Sequence, residues 1–371
     1  MSADPARRPR LDPATARIRT ALRAALQASR AVSRPASDPA SQQDGSSLHD
    51  VAKEERAARL LVAVSGGADS LALAAAAAFL HSRGEARFLA VTVDHGLQEG
   101  SDAVARDTVA ALDAMGLPAR SVTADVDPEY PGGLEAAART ARYTALARAA
   151  ATAGAAAVLT GHTQDDQAET VLLGLLRGSG ARSLSGMAAQ TRLDTDAGPL
   201  TVLRPLLGLT REQTRASVRA QDLTAWDDPM NEDPRFTRVR ARRILRDLAE
   251  SLGQDLRAGL ARTADLLRED ADHLDAEAGR AWTALIAEDR GETAPPSLPI
   301  ASLVELGPAV AGRVVRTWLL ARGVPASDLT ADHVRDVGEV AAASGAEKRE
   351  ASVPGAGTVR RVRGMLVHRR D

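Results

Sequence analysis

Ser65-Gly66-Gly67-Ala68-Asp69-Ser70 places two adjacent glycines, two hydroxyls and one carboxylate within a single short segment. Adjacent glycines let the backbone turn tightly and approach an anion without side-chain obstruction. Ser65 and Ser70 add hydroxyl donors, and free N–H groups at the start of a following helix favour phosphate. Asp69 repels phosphate but suits Mg²⁺, which would neutralise the phosphate oxygens. The segment has neither the lysine of a Walker loop nor the spacing of a dinucleotide-binding GxGxxG. A plain glycine-serine turn is the alternative. The setting between a strand and a helix favours a ligand loop, because sheet proteins place ligands at the carboxyl ends of strands.

Two further groups accompany this loop. Val93, Asp94 and His95 end an apolar run, where Val93 and His95 could line the adenosine side of a nucleotide site. Asp94 and His95 could equally be ordinary caps of a turn or helix. Downstream, Gly161 and His162 precede Asp165, Asp166 and Glu169, spaced so that several side chains share one face at a helix start. Carboxylates are also electrostatically favoured there without any function. A zinc site is a third reading, but a magnesium–nucleotide site, with Asp69 and Asp166 as metal ligands, accounts better for the carboxylates. Arg235–Arg246 then carries six arginines and no acid. It reads either as a solvated helix face or as a contact for RNA phosphates through Arg238 and Arg242, with Arg204 and Arg211 as further candidates.

The elements that must position these groups alternate in type. Strands are expected at Leu60–Val64, Phe88–Val93, Arg120–Thr123 and Ala157–Thr160, with helices at Leu71–His81, Asp102–Met115 and Leu134–Ala153 between them. Continuous apolar strands alternating with helices predict an α/β fold with a doubly wound, mostly parallel sheet. Before it, Pro13–Arg30 reads as a helix and Ala31–His49 as a flexible linker. After it comes a mainly helical region, with helices over Val239–Leu252, Leu256–Ala287 and Pro308–Arg322, broken by the three prolines of Gly291–Pro299. Val353–Arg370 reads as short β pieces ending in arginines. The expected division is 1–55 for the N-terminal helix and linker, 56–234 for the nucleotide-binding domain, and 235–371 for a docking region with a basic tail.

Aromatics make up only 2% of the chain, so its core must be built from leucine, valine and alanine. The absence of cysteine excludes disulfides, thiolate metal sites and cysteine nucleophiles. A net charge of −2 excludes general attraction to nucleic acid, leaving only a local basic surface. Met1–Arg10 lacks a secretory apolar run and no later segment reaches transmembrane length, so the default location is cytoplasmic.

The Ser65–Ser70 loop resembles the SGGxDS signature of the PP-loop ATP pyrophosphatases, which adenylate a substrate and release pyrophosphate. The ordered set is more specific and resembles the tRNA(Ile)-lysidine synthetase family. It comprises Ser65–Ser70, Val93–Leu97, Glu135 with Arg139, Arg142 and Tyr143, Gly161–Thr170 with Arg177–Gly180, and Asp228-Pro229-Met230-Asn231 with Arg238. The match runs from about Leu60 to Leu248. Gln98 departs from the pattern, since an arginine often follows the second motif in that family, and the region after Leu252 lies outside the match.

The resemblance implies ATP and Mg²⁺ as cofactors and free L-lysine and a minor isoleucine tRNA with a CAU anticodon as partners. It implies nucleotide binding by Ser65–Ser70, Val93, His95 and Gly161, and catalysis by Asp69, His162, Asp165, Asp166 and Glu169. It implies RNA contacts through Glu135, Arg139, Arg142, Arg177, Arg204, Arg211, Asn231, Arg238 and Arg242. Glu135 and Arg139 could instead be a surface pair at helix spacing. A homodimer sharing one tRNA fits this reading, with no interface named by the periodicity. A sulfur-transferring PP-loop enzyme is opposed by the lack of cysteine, and so is an amidotransferase. A nucleotide-fold scaffold without turnover is opposed by the intact acidic cluster.

Overall fold

The computed structural model describes residues 11–32, 59–98, 100–178, 180–288, 297–343 and 350–370. Most of the expected linker, from residue 33 onward, lies outside them. The described residues form two compact units, one reaching Leu176 and resuming over Gly186–Arg262, the other Arg177–Ser185 with Thr263 onward. Among the described residues no helix is long and apolar enough to cross a membrane.

In the first unit, α1 (Pro13–Val32) is followed by β1 (Arg59–Ala63), α2 (Ala68–Ser82), β2 (Phe88–Asp94), α3 (Ser101–Ala114), β3 (Ala119–Thr123), α4 (Leu134–Ala153), β4 (Ala155–Leu159) and α5 (Gln164–Leu176). After a short α6 (Ala181–Leu184) that belongs to the second unit come β5 (Gln190–Thr195), β6 (Gly198–Leu203), α7 (Arg211–Ala220), a 3-10 turn over Pro229–Glu232, and α8 (Thr237–Leu252). The sheet order is β3-β2-β1-β4-β6-β5, parallel except for the antiparallel β5–β6 hairpin. The expected mostly parallel sheet is therefore present. The hairpin and α7 were absent from the sequence reading, because their alternation is weak and α7 is predominantly polar.

Each central strand is buried on both faces, and alternate residues serve different cores. Leu60, Val62, Ala157 and Leu159 point to one side, while Leu61, Val91 and Val158 point to the other. The alanine run of α2 is buried along its length, so the helix can lie close to the sheet. Ile18, Leu22 and Leu26 of α1 join the same core, packed with α2 and α7. The N-terminal helix thus completes the first unit rather than standing ahead of it. The division expected at 234/235 falls later in the structure, because α8 buries Val239, Ala241 and Leu245 within the first unit.

The second unit contains the rest of α9 (Leu256–Glu288), β7 (Ser297–Pro299), α10 (Ile300–Glu305), α11 (Gly307–Ala321), α12 (Ala331–Ala342), β8 (Glu350–Val353), β9 (Gly357–Val362) and β10 (Met365–Arg370). The tail pieces expected as β form an antiparallel sheet in the order β7-β10-β9-β8. Its core gathers Leu298, Val314, Trp318, Val337, Val359 and Leu366.

Candidate active site

Strand order reverses between β1 and β4, and the loops that leave their carboxyl ends are Ser65–Ser70 and Gly161–Gln164. A crevice at such a switch point is where parallel sheets bind ligands. Gly66 needs its glycine twice over. Its φ is +84°, and a Cβ would stand 3.0 Å from Thr108 Oγ1. The loop is held from outside by Trp226, whose N–H donates to the Gly66 carbonyl at 3.0 Å. Inside it, Ser70 Oγ accepts from the Ser65 N–H at 3.1 Å and donates to the Gly67 carbonyl at 2.9 Å. Ser70 is buried, so its hydroxyl braces the loop instead of facing phosphate as expected. Ser65 is exposed, and no side chain caps the first turn of α2 after Gly67. Those N–H groups are available to an anion.

Gly161 fits this loop by close approach. A Cβ there would lie 2.9 Å from the Ser70 backbone nitrogen. A side chain at 161 would push the turn after β4 away from the start of α2.

Four carboxylates converge on arginines around this junction. Arg211, at the first turn of α7, donates from Nη2 to Asp166 at 2.9 Å, faces Asp69 through Nε at 3.2 Å, and has Nη1 3.5 Å from Glu169. Its backbone N–H donates to Asp165 Oδ2 at 2.8 Å. Thr214 Oγ1 donates to Asp69, and the Thr163 N–H and hydroxyl both donate to Asp166 Oδ2. Asp165 receives Arg257 at 2.9 Å and Glu169 receives Arg242 Nε at 2.9 Å.

The charge states follow from these partners. Burial, reinforced by Asp166, raises the Asp69 carboxyl above its usual range despite Arg211 and Thr214. Burial also raises Glu169, with Asp166 adding to it. Burial works against ionised Asp166, yet Arg211 and the Thr163 hydrogen bonds hold it below its ordinary value. The Arg211 guanidinium rises because Asp166, Asp69, Glu169 and Asp165 together outweigh its burial. His162 bonds Thr160 Oγ1 through Nδ1 at 2.8 Å, and burial together with Arg142 lowers it to about 3, leaving a neutral imidazole. Burial and Arg142 lower His95 as well.

The structure brings Asp69, His162, Asp166 and Glu169 to the Ser65–Ser70 loop and gives several of the other expected residues partners within the protein. Asp165 has both oxygens occupied, by the Arg211 N–H and by Arg257. Arg211, expected on RNA, clamps the carboxylates. Arg204 is only 4% exposed and donates to the Ala188 carbonyl and Thr191 at 2.8 Å, which removes it from an outer RNA surface. Arg242 is spent on Glu169. Glu135 lies 4.0 Å from Arg238, while Arg139 stacks on Tyr143, so these two are not the surface pair considered above. Val93 packs its side chain against the core under the sheet. Arg177 is exposed and belongs to the second unit. Asn231 lies in the 3-10 turn that Asp228 caps through the Met230 N–H at 2.9 Å. Gln98 Nε2 donates to the same Asp228 at 3.1 Å, tying the segment after β2 to that turn.

Arg257, Thr214 and Trp226 escaped the sequence reading. A threonine or tryptophan distant in sequence carries no local chemical signal, and Arg257 lies beyond the recognisable motifs.

The donor set suits a hard divalent cation. Asp69 and Asp166 already share one positive group, Arg211, and both present oxygen ligands. Among the described residues no three His, Cys, Asp or Glu side chains form a metal cage. Mg²⁺ commonly takes only one or two carboxylates, with phosphates supplying other positions.

Family models match two parts of the chain, a PP-loop domain over residues 40–248 and a TilS substrate binding domain over residues 298–367. A tRNA(Ile)-lysidine synthase from Streptomyces coelicolor is 50% identical over 75% of this chain and 76% of its own length. Enzymes of that name from Salinispora arenicola and Thermobifida fusca are 48% and 49% identical, each over 74% of this chain and 80% and 81% of their own lengths.

Proposed function

The chain belongs to the tRNA(Ile)-lysidine synthase family, and from that membership we propose that it joins free lysine to the wobble cytidine of an isoleucine tRNA with a CAU anticodon, consuming ATP. Use of ATP follows from the PP-loop family itself. The observation that carries the residue assignments is the convergence of the Ser65–Ser70 loop and the Asp69–Arg211–Asp166 clamp at the β1/β4 switch point.

In the first step the cytidine C2 carbonyl oxygen attacks the ATP α-phosphorus, and the bond to the bridging oxygen breaks to release pyrophosphate. Alignment of that oxygen and stabilisation of the departing charge are what the protein must provide. The N–H groups at the start of α2 and the Ser65 hydroxyl face the phosphates, with Ser70 and Trp226 keeping the loop shaped. Asp69 and Asp166 would hold Mg²⁺, which when bound neutralises phosphate charge. Neutral His162 offers a hydrogen bond near the α-phosphate without adding a charge.

In the second step the lysine ε-amine attacks C2, and the C2–O bond to AMP breaks. The ammonium must first lose a proton. Asp69, Asp165 and Asp166 have both oxygens engaged, whereas Glu169 Oε2 is buried without a hydrogen-bond partner. Burial also raises the Glu169 carboxyl, making it a better proton acceptor than an ordinary carboxylate. We assign Glu169 this role.

A cytoplasmic location is part of the proposal. The test is incubation of the full chain with ATP, labelled lysine and isoleucine tRNA transcripts carrying CAU or GAU. Lysine should enter only the CAU transcript, with one AMP released per lysine. No incorporation would overturn the activity, and equal incorporation would overturn the substrate.

A further inference from the structure

α7 carries two of the side chains that hold the acidic group, Arg211 and Thr214, yet little apolar packing seats it. Of its ten residues the buried ones are Thr214, Ser217 and Val218, and of these only Val218 is apolar. The N-terminal end is fixed by Arg211 on Asp69 and Asp166 and by Thr214 on Asp69. One turn further on, Ser217 is 1% exposed, and its Oγ lies 2.8 Å from the Oγ1 of Thr15, itself 3% exposed. That contact joins α7 to α1 across 202 residues of chain.

The two hydroxyls belong to a chain of hydrogen bonds that runs in one direction. Thr15 Oγ1 donates to Asp12 Oδ2 at 3.1 Å, beside the Thr15 N–H, which donates to the same oxygen at 2.8 Å. A hydroxyl has a single proton, so Thr15 Oγ1 must receive that of Ser217. Gln221 Nε2 donates in turn to Ser217 Oγ at 3.0 Å. The series Gln221–Ser217–Thr15–Asp12 therefore ends on a carboxylate, and each bond polarises the next. Both hydroxyls are removed from water, so deleting one leaves the other unmatched, which costs more than the bond itself is worth. None of these four residues lies in the motifs that carry the family resemblance.

We infer that the Thr15–Ser217 pair is a positioning latch: α1 fixes the far half of α7, and thereby keeps Arg211 and Thr214 where they align Asp69 and Asp166 for Mg²⁺. The part played by Mg²⁺ rests on the proposed function. Ser217 stands about 4.5 Å along the helix axis from Thr214, so the two contacts grip α7 at successive turns. With both made, the helix can neither tilt nor rotate about the clamp. With Ser217 released, a small rotation draws Thr214 Oγ1 off Asp69, and the one buried apolar side chain, Val218, resists it weakly. Thr15 and Ser217 act through α7 and not on the reacting atoms.

The test uses Ser217→Ala in the full chain. Alanine favours helix more than serine does, so a loosened α7 cannot be ascribed to helix propensity. Two measurements are made, neither of which needs turnover. Hydrogen exchange of the α7 amides should quicken at least about fivefold, the equivalent of one neutral hydrogen bond, with the α2 amides unchanged. ATP titrated at rising Mg²⁺ should need at least about fivefold more Mg²⁺ for half-maximal binding, while its affinity in EDTA stays the same. A general loss of structure would weaken binding in both conditions, and that result would overturn the positioning role. Thr15→Val should reproduce both effects, and Thr15→Ser, which keeps the hydroxyl, should show neither; this pair also carries the test if Ser217→Ala misfolds. Unchanged α7 exchange overturns the latch, and faster exchange with unchanged Mg²⁺ dependence overturns its role in the site. A wild-type chain that binds no ATP at any Mg²⁺ concentration would overturn the proposed function, and the exchange data would still decide whether the latch seats α7.

Discussion

The Arg211 guanidinium meets the Asp166 carboxylate at 2.9 Å, joining residues far apart in sequence at the mouth of the β1/β4 crevice. The same guanidinium faces Asp69 at 3.2 Å, so one side chain holds together the helix after the phosphate loop and the helix after β4. Arg211→Met removes that cation and leaves largely buried carboxylates facing one another. Breaking a buried pair in this way costs about 3 kcal/mol. Urea unfolding should show a loss of that size, partly restored by millimolar Mg²⁺. A variant as stable as the wild type would mean that the clamp contributes nothing to the fold.

His162 gives the protein a distinct pH response. Burial and Arg142 bring it down to about 3, whereas in the unfolded chain it protonates near its ordinary value of about 6.5. Below that ordinary value the unfolded chain therefore binds the extra proton, so the contribution is complete above it and is lost as pH falls toward the folded value. Stability should decline by about 1.4 kcal/mol per pH unit between about pH 6 and pH 4 from this residue alone. His162→Asn should flatten that part of the profile. Parallel urea midpoints across the range would decide it, and identical slopes would assign the acid response elsewhere.

Gly161→Ala tests the close approach of the two loops. The new methyl would stand 2.9 Å from the Ser70 nitrogen, inside any normal contact, and backbone on both sides cannot swing away as a side chain could. Overpacking of this kind costs about 1–3 kcal/mol. ATP affinity should fall at least about tenfold because the phosphate loop itself is displaced, by the same range of energies. Isothermal titration with ATP would detect this, and wild-type affinity would show that the turn can yield without disturbing the loop.

Arg238 and Arg242 belong to one basic run but should behave differently. Arg238 lies at the outer limit of ion-pair distance from Glu135, at 4.0 Å, while Arg242 donates to buried Glu169 at 2.9 Å. Arg238→Ala should weaken tRNA binding and make its salt dependence shallower by about one. Arg242→Ala should leave the salt slope unchanged and lower the rate of lysine transfer, because Glu169 loses the hydrogen bond that holds its Oε1 in place. Filter binding at several salt concentrations, with single-turnover lysine incorporation, separates the two. Equal salt-slope changes would place both residues on RNA.

The sequence by itself determined the chemistry of the first unit. Strand–loop–helix order, the glycine pair of Ser65–Ser70 and the spacing from Gly161 to Glu169 are local properties, set by backbone freedom and by side-chain periodicity over a few residues. Those same local rules marked the helices and the β pieces of the tail. They could not say which arginine answers which carboxylate, because Arg211, Arg242 and Arg257 reach their partners only through packing across 45, 73 and 92 residues of chain. That packing alone turned Arg211 and Arg242 from expected RNA contacts into partners of the acidic group, occupied Asp165 and left one oxygen of Glu169 unspent. Pairing depends on distance and burial in three dimensions, and neither is written in the order of the residues.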